Sequence, residues 1–264
     1  MSNERYLIIT ADDFGLCRSM NEAIIELWEA RAITSSVIMM PEAWAGQAAE
    51  YAAQHRDANI GIHLTLKSGF LQKASDQAVS TEIRSQIEAA IQSGIDPTHL
   101  DSHEGSLLGL ADGRDFLELV FDLCEEYRLP FKLPRNIVHQ PFFSGQQRKL
   151  FRKRIDSADR RCIPLIDELI ILPYEHEPGE DYPSVKRQLS QAIRDMRAGI
   201  TELVVHPARD TAEMRTITPH SAKRELEFRL CMDEEFRKLV ADEGIQLISW
   251  REVRDGMRLG RTNT

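Results

Sequence analysis

The chain has 264 residues, of which 42% are hydrophobic and 28% charged, with a formal net charge of −9. This is the balance of a globular protein with a sizeable core, at a length that fits one α/β barrel or two small domains. The acidic excess speaks against a nucleic-acid or anionic-membrane binder, whose affinity comes from basic patches.

Met1-Ser2-Asn3-Glu4-Arg5 leads into the short apolar run Tyr6-Leu7-Ile8-Ile9, which stops at Asp12 and Asp13. The run is too short for a signal peptide or a membrane span, so the expected compartment is the cytoplasm. It reads as a first, buried strand. Ser19 and Glu22 have the spacing of a capping box for the helix that follows. Ser36–Met40 reads as a second strand, residues 44–55 as a helix and Asn59–Leu66 as a third strand. Residues 67–80 are polar and read as a loop, with a helix from Thr81 to Ser93. Thr98–His103 is a short strand and its exit, Phe116–Tyr127 a helix and Pro130–Arg135 the next strand. The basic stretch 147–159 reads as a solvated helix face. Glu168–Leu172 and Thr201–Pro207 read as strands, separated by a helix over 185–197. A long helix over 221–243, a last strand at 245–250, a short helix and a frayed tail, Arg261–Thr264, complete the chain.

Cys17, Cys124, Cys162 and Cys231 are widely spaced and lack the CxxC pairing of a zinc or disulfide framework. Repeated βα units imply a mainly parallel sheet with helices outside. Asp12/Asp13, His63, His103, Arg135 and His206 all fall at the C-terminal ends of strands spread along the chain. A barrel gathers such ends onto one rim, whereas an open sheet collects only those near its switch point. The expected fold is therefore an α/β barrel of seven or eight mainly parallel strands, with residues 1–264 as one domain.

Adjacent carboxylates at the end of a buried strand must be paired, hydrogen-bonded or metal-bound. Side chains alternate across a strand, so both aspartates serve one site only if the chain bends, which Gly15 permits. Capping of the next helix by either aspartate is the competing reading. His63 stands in an otherwise apolar strand, His103 closes Asp101-Ser102-His103, and His206 ends Leu203-Val204-Val205. His55 and His176 lack supporting context; His139 and His220 lie where they could line a pocket. One carboxylate and two imidazoles with open positions make a catalytic metal site, suited to zinc and other divalent ions. A second carboxylate can then take a proton from water, a further His can protonate a leaving group, and an Arg can hold substrate. Trp44, Trp250, Phe14 and Phe70 are candidates for stacking on a ligand or for core packing.

The ordered segments Thr10–Gly15, Gly61–Thr65, Thr98–His103, Leu133–Arg135 and Glu202–Pro207 together resemble the YdjC-like (ChbG/HpnK-type) carbohydrate deacetylase family. Arg224-Glu225-Leu226 also resembles the family. The resemblance implies a distorted TIM-like (β/α) barrel, a divalent ion (Mg or Zn), an N-acetylated sugar as small-molecule substrate, and a homodimer. It implies Asp13, His63 and His103 as metal ligands, Asp12 as base, His206 as acid and Arg135 as a pocket residue. Many members continue the third motif as Asp-Ser-His-His-His-Val-His, where this chain has Glu104-Gly105-Ser106-Leu107 after His103. That departure bears on the substrate more than on the metal. Two other classes are open: a related metal hydrolase or lyase on a non-sugar substrate, and a binding protein of the same fold.

Overall fold

The computed structural model describes residues 3–110 and 114–260; the tail Arg261–Thr264 lies outside them. Among the described residues, seven strands form one parallel sheet: β1 (Arg5–Phe14), β2 (Ser35–Ile38), β3 (Ile60–Leu64), β4 (Leu100–Ser102), β5 (Glu168–Ile171), β6 (Gly199–Val205) and β7 (Gln246–Leu247). Their order is β4-β3-β2-β1-β6-β5, with β7 also on β1. β1 is buried from Leu7 to Phe14 on both faces, which explains why it reads as an unbroken apolar run. It meets β6 from Arg5 to Ala11 along one edge. Its other edge holds β7 at Tyr6 and Leu7 and β2 at Thr10, Ala11 and Phe14.

The expected strand at 130–135 survives as two isolated bridges, Leu100 with Phe131 and Pro134 with Ile166. Pro130 and Pro134 have no N–H to give, so a full ladder cannot form. The bridges still carry the wall around. Lys132 N donates to Leu100 O at 2.9 Å, Arg135 N to Ile166 O at 2.9 Å, and Asp167 N to Ile200 O at 2.8 Å. The result is a distorted α/β barrel with helices packed outside. Among the described residues no helix is long and apolar enough to cross a membrane.

Several boundaries differ from those expected. The cap of helix Arg18–Glu29 is Cys17, whose Sγ accepts from Met20 N, while Ser19 donates its hydroxyl to Arg209 O and Glu22 pairs with Arg18. Residues 67–80 hold a helical turn, Ser68–Leu71, and the start of helix Asp76–Gln92, capped by Ser75. The long C-terminal helix is two helices, Ser221–Met232 and Glu234–Asp242. Asp233 separates them because its carboxylate accepts from Glu235 N and Phe236 N and starts a new helix.

The barrel interior is polar below its rim. The His99 ring stacks on Trp250 at 4.4 Å and 10°, and Trp250 Nε1 donates to Glu202 Oε1 at 2.9 Å. His99, Trp250 and Glu202 are fully buried. Gly61 makes this stack possible. A Cβ there would lie 2.3 Å from His99 Nδ1 and 2.8 Å from His99 O, and Trp250 blocks retreat of the ring. Gly61→Ala is expected to destabilise the fold by about 1–3 kcal/mol. The midpoint of urea unfolding measures this; an unchanged midpoint would show that the ring has room to move.

Candidate active site

The site begins with a backbone distortion. Asp13 has φ +66°, in the left-handed region, and Gly15 has φ +103°. The register of β1 against β2 slips between Ala11 and Phe14. The bend anticipated at Gly15 thus starts one residue inside the aspartate pair, on a residue type that tolerates the left-handed region. Asp12 and Asp13 serve the same site because of it. Phe14 and Gly15 then anchor the turn: Met39 N donates to Phe14 O at 2.8 Å, and Gly15 N donates to Asn21 Oδ1 at 2.7 Å. Strain at such a position is characteristic of functional sites.

β3 and β4 bring the imidazoles to the same place. His63 and Asp101 are register partners on adjacent strands. His63 Nε2 lies 3.2 Å from Asp13 Oδ1, His103 Nδ1 lies 3.4 Å from that oxygen, and the two ring nitrogens are 3.1 Å apart. Glu104 and Gly105, both left-handed, turn the chain away immediately after His103. Glu104 is exposed, with its carboxylate 3.8 Å from His103 Nε2.

These three atoms fit a divalent ion. Ligands about 2.1 Å from a tetrahedral centre are about 3.4 Å from one another. Asp13 Oδ1 is buried and accepts no hydrogen bond of good geometry, which is costly unless a cation completes it. Asp101 Oδ2, 2.7 Å from His63 Nδ1, fixes that ring with Nε2 toward Asp13.

Asp12 lies beside the triad rather than within it. Lys132 Nζ is 3.0 Å from Asp12 Oδ2 and 2.5 Å from Asp101 Oδ2. Burial pushes the Asp12 carboxyl up to about 6, against the pull of the ammonium. Burial also opposes ionisation of Asp101, yet Lys132 and His63 hold it well below the usual carboxylate range. Asp13 is likewise held low, by His103 and His63 against burial.

His206 Nε2 stands 4.0 Å from Asp12 Oδ2. Burial pushes this imidazole down to about 3, so it is neutral at pH 7. Its backbone N donates to Glu227 Oε2 at 2.5 Å, and Arg224 pairs with the other Glu227 oxygen at 3.3 Å.

The structure therefore gathers Asp12, Asp13, His63, His103 and His206. Arg135 is held elsewhere: it opens a turn, Arg135–His139, and its guanidinium makes two hydrogen bonds to Asp159, at 2.6 and 3.1 Å. The Pro134–Arg135 exit carries that side chain toward helix Gly145–Arg160 instead of over the rim. The cation beside Asp12 is Lys132, three residues earlier. In the sequence a lysine within a strand reads as exposed; the signal for Lys132 is its position two residues before Pro134 at the barrel closure. Asp101 reads only as part of the strand exit that His103 closes, and Glu227 carries no signal within the helix that holds Arg224. Phe14 and Trp250 are fully buried core, while Trp44 is exposed next to the turn, its N donating to Gly15 O at 3.1 Å.

The chain is similar in sequence and fold to known proteins. The YdjC-like protein family matches residues 6–242. A carbohydrate deacetylase of Thermoanaerobacter pseudethanolicus is 25% identical, over 93% of this chain and 98% of its own. A carbohydrate deacetylase of Brevibacillus brevis is 26% identical, over 94% and 99%. A protein of Enterococcus faecalis, whose crystal structure is described as that of a "putative cellobiose-phosphate cleavage protein", superposes with a TM-score of 0.72 at 20% identity, covering 95% of this chain and 99% of that one. With the family match spanning nearly all of the barrel, the chain belongs to the YdjC-like protein family.

Proposed function

We propose that residues 1–264 form one hydrolase domain that removes the acetyl group from an N-acetylated sugar. The donor triangle of Asp13, His63 and His103, beside the separate carboxylate of Asp12, is the observation that carries this reading. The carbohydrate deacetylase names of the full-length relatives supply the substrate class.

Asp13, His63 and His103 would hold a divalent ion, zinc or magnesium. Such an ion supplies Lewis acidity toward water and an amide carbonyl. Asp12 accepts the proton of the attacking water. Its raised pKa, about 6 without the ion, suits a general base. The water oxygen adds to the acetamide carbon, the C–N bond breaks, and the amine nitrogen takes a proton. His206 is neutral at the start and acts as acid only after receiving a proton; its Nε2 stands 4.0 Å from Asp12 Oδ2. Lys132 keeps Asp12 and Asp101 in place and offsets their mutual repulsion. Trp44 borders the same rim.

The test is acetate release from N-acetylglucosamine oligomers by the purified chain. Chelation is expected to abolish release, and added zinc or magnesium to restore it. Release that persists through exhaustive chelation would contradict the metal assignment. Ion binding without release from any acetylated sugar would favour a non-sugar substrate or a binding role.

A further inference from the structure

Two buried cations sit at the start of helix Ser221–Met232, and neither faces the reacting groups directly. Lys223 and Arg224 are both completely buried. Lys223 Nζ pairs with Glu180, and Arg224 Nη2 donates to the carbonyl of Tyr174 at 2.9 Å. From the same turn, His220 Nδ1 accepts from His176 N at 3.1 Å. Three successive contacts therefore tie the segment 174–180, between β5 and helix Tyr182–Arg194, to one helix end. Burying two charges is expensive, and exposed loops do not ordinarily need it.

What this clamp fixes is the ring of Tyr174. The Arg224 guanidinium lies 4.3 Å from the ring centroid. Its Nε and Nη1 have no hydrogen-bond partner, and the guanidinium carbon lies over the ring. The Tyr174 and His206 rings meet at 83° with centroids 5.9 Å apart. Even so, Tyr174 is 43% exposed. An aromatic held this firmly, partly open to solvent and against the proposed acid, is preorganised for a ligand.

We infer that the Tyr174 ring forms one wall of the sugar subsite, packing on the apolar C–H face of the pyranose next to the scissile acetamide. The inference rests on the carbohydrate reading above. Arg224 is the positioning residue, acting through Tyr174 and, by way of Glu227, through the backbone of His206. This gives a role to the Arg224-Glu225-Leu226 segment that the catalytic scheme leaves unused.

The experiment is calorimetric titration of the zinc-loaded full chain carrying Asp12→Asn, so that the probe, di-N-acetylchitobiose, is not consumed. Adding Tyr174→Ala is expected to weaken binding about tenfold. Tyr174→Phe keeps the ring and is expected to bind as the parent does. Tyr174→Leu preserves packing under Arg224 and is expected to show the same loss as Ala, which covers the case in which Ala does not fold. Equal binding by the parent, Ala and Leu forms would overturn the inference, as would a parent that does not bind the dimer. If the unsubstituted holoenzyme releases no acetate while dimer binding still depends on Tyr174, the deacetylase reading falls and the subsite stands.

Discussion

Asp12→Asn is expected to leave the divalent ion bound and to lower kcat by about 10²–10⁴, the usual contribution of a positioned general base. The amide keeps the size of the carboxylate but cannot take a proton. The ligand atoms of Asp13, His63 and His103 lie outside the change, and Lys132 retains Asp101 as a partner. The pH profile of the unsubstituted protein should carry the same signature. A base works only when deprotonated, so activity falls as pH drops through its pKa. Burial sets Asp12 at about 6 without the ion. A neighbouring dication favours the charged carboxylate, so the acid limb of kcat/KM belongs below that value. Steady-state kinetics together with metal analysis of the purified variant measure both. Full turnover by the Asn form would remove Asp12 from the role of base.

Binding of the ion at pH 7 is expected to release close to one proton. The shift of His63 requires it. Burial alone would lower this imidazole, but Asp101, Asp12 and Asp13 outweigh burial and raise it to about 10. In the ion-free protein His63 is therefore protonated at neutral pH, whereas a metal ligand must be neutral. Cation and proton compete, and affinity should climb about tenfold per pH unit between roughly pH 7 and 9. The effect on stability has the opposite sense. Protonated His63 stabilises the ion-free fold fully below the ordinary imidazole pKa, and that contribution is lost as pH rises through about 10. Titration calorimetry in two buffers of different ionisation heat counts the protons. Heats that do not depend on the buffer would show that His63 is already neutral.

Much of this architecture could be read from the chain, and the parts that could not have physical reasons. β1 and β3 are legible because strands buried on both faces are mostly apolar, so Asp12, Asp13 and His63 stand out within them, and His206 stands out directly after the apolar end of β6. The barrel followed from polar residues recurring at strand ends. The closure at 130–135 reads as a full strand because local composition does not reveal which backbone donors two prolines remove. Arg135 and Lys132 exchanged places for a related reason. Both are cations near one strand end, and only the backbone path after Pro134 decides which one turns inward. The break at Asp233 was hidden because apolar periodicity runs through it, while the cap is a single carboxylate. Tyr174 and Glu227 lie on a loop and a helix, where no strand-end rule points.

β1 has one further consequence. It is held by β6 along one edge and by β7 and β2 along the other, so neither edge is free to peel. Opening the strand enough to separate its two carboxylates means dismantling the whole wall, at a cost close to that of global unfolding. Removal of the proposed cation is therefore expected to leave Asp12 and Asp13 in place. Exchange of a divalent ion held there is then expected to follow the stripping of its hydration shell, not rearrangement of the polypeptide.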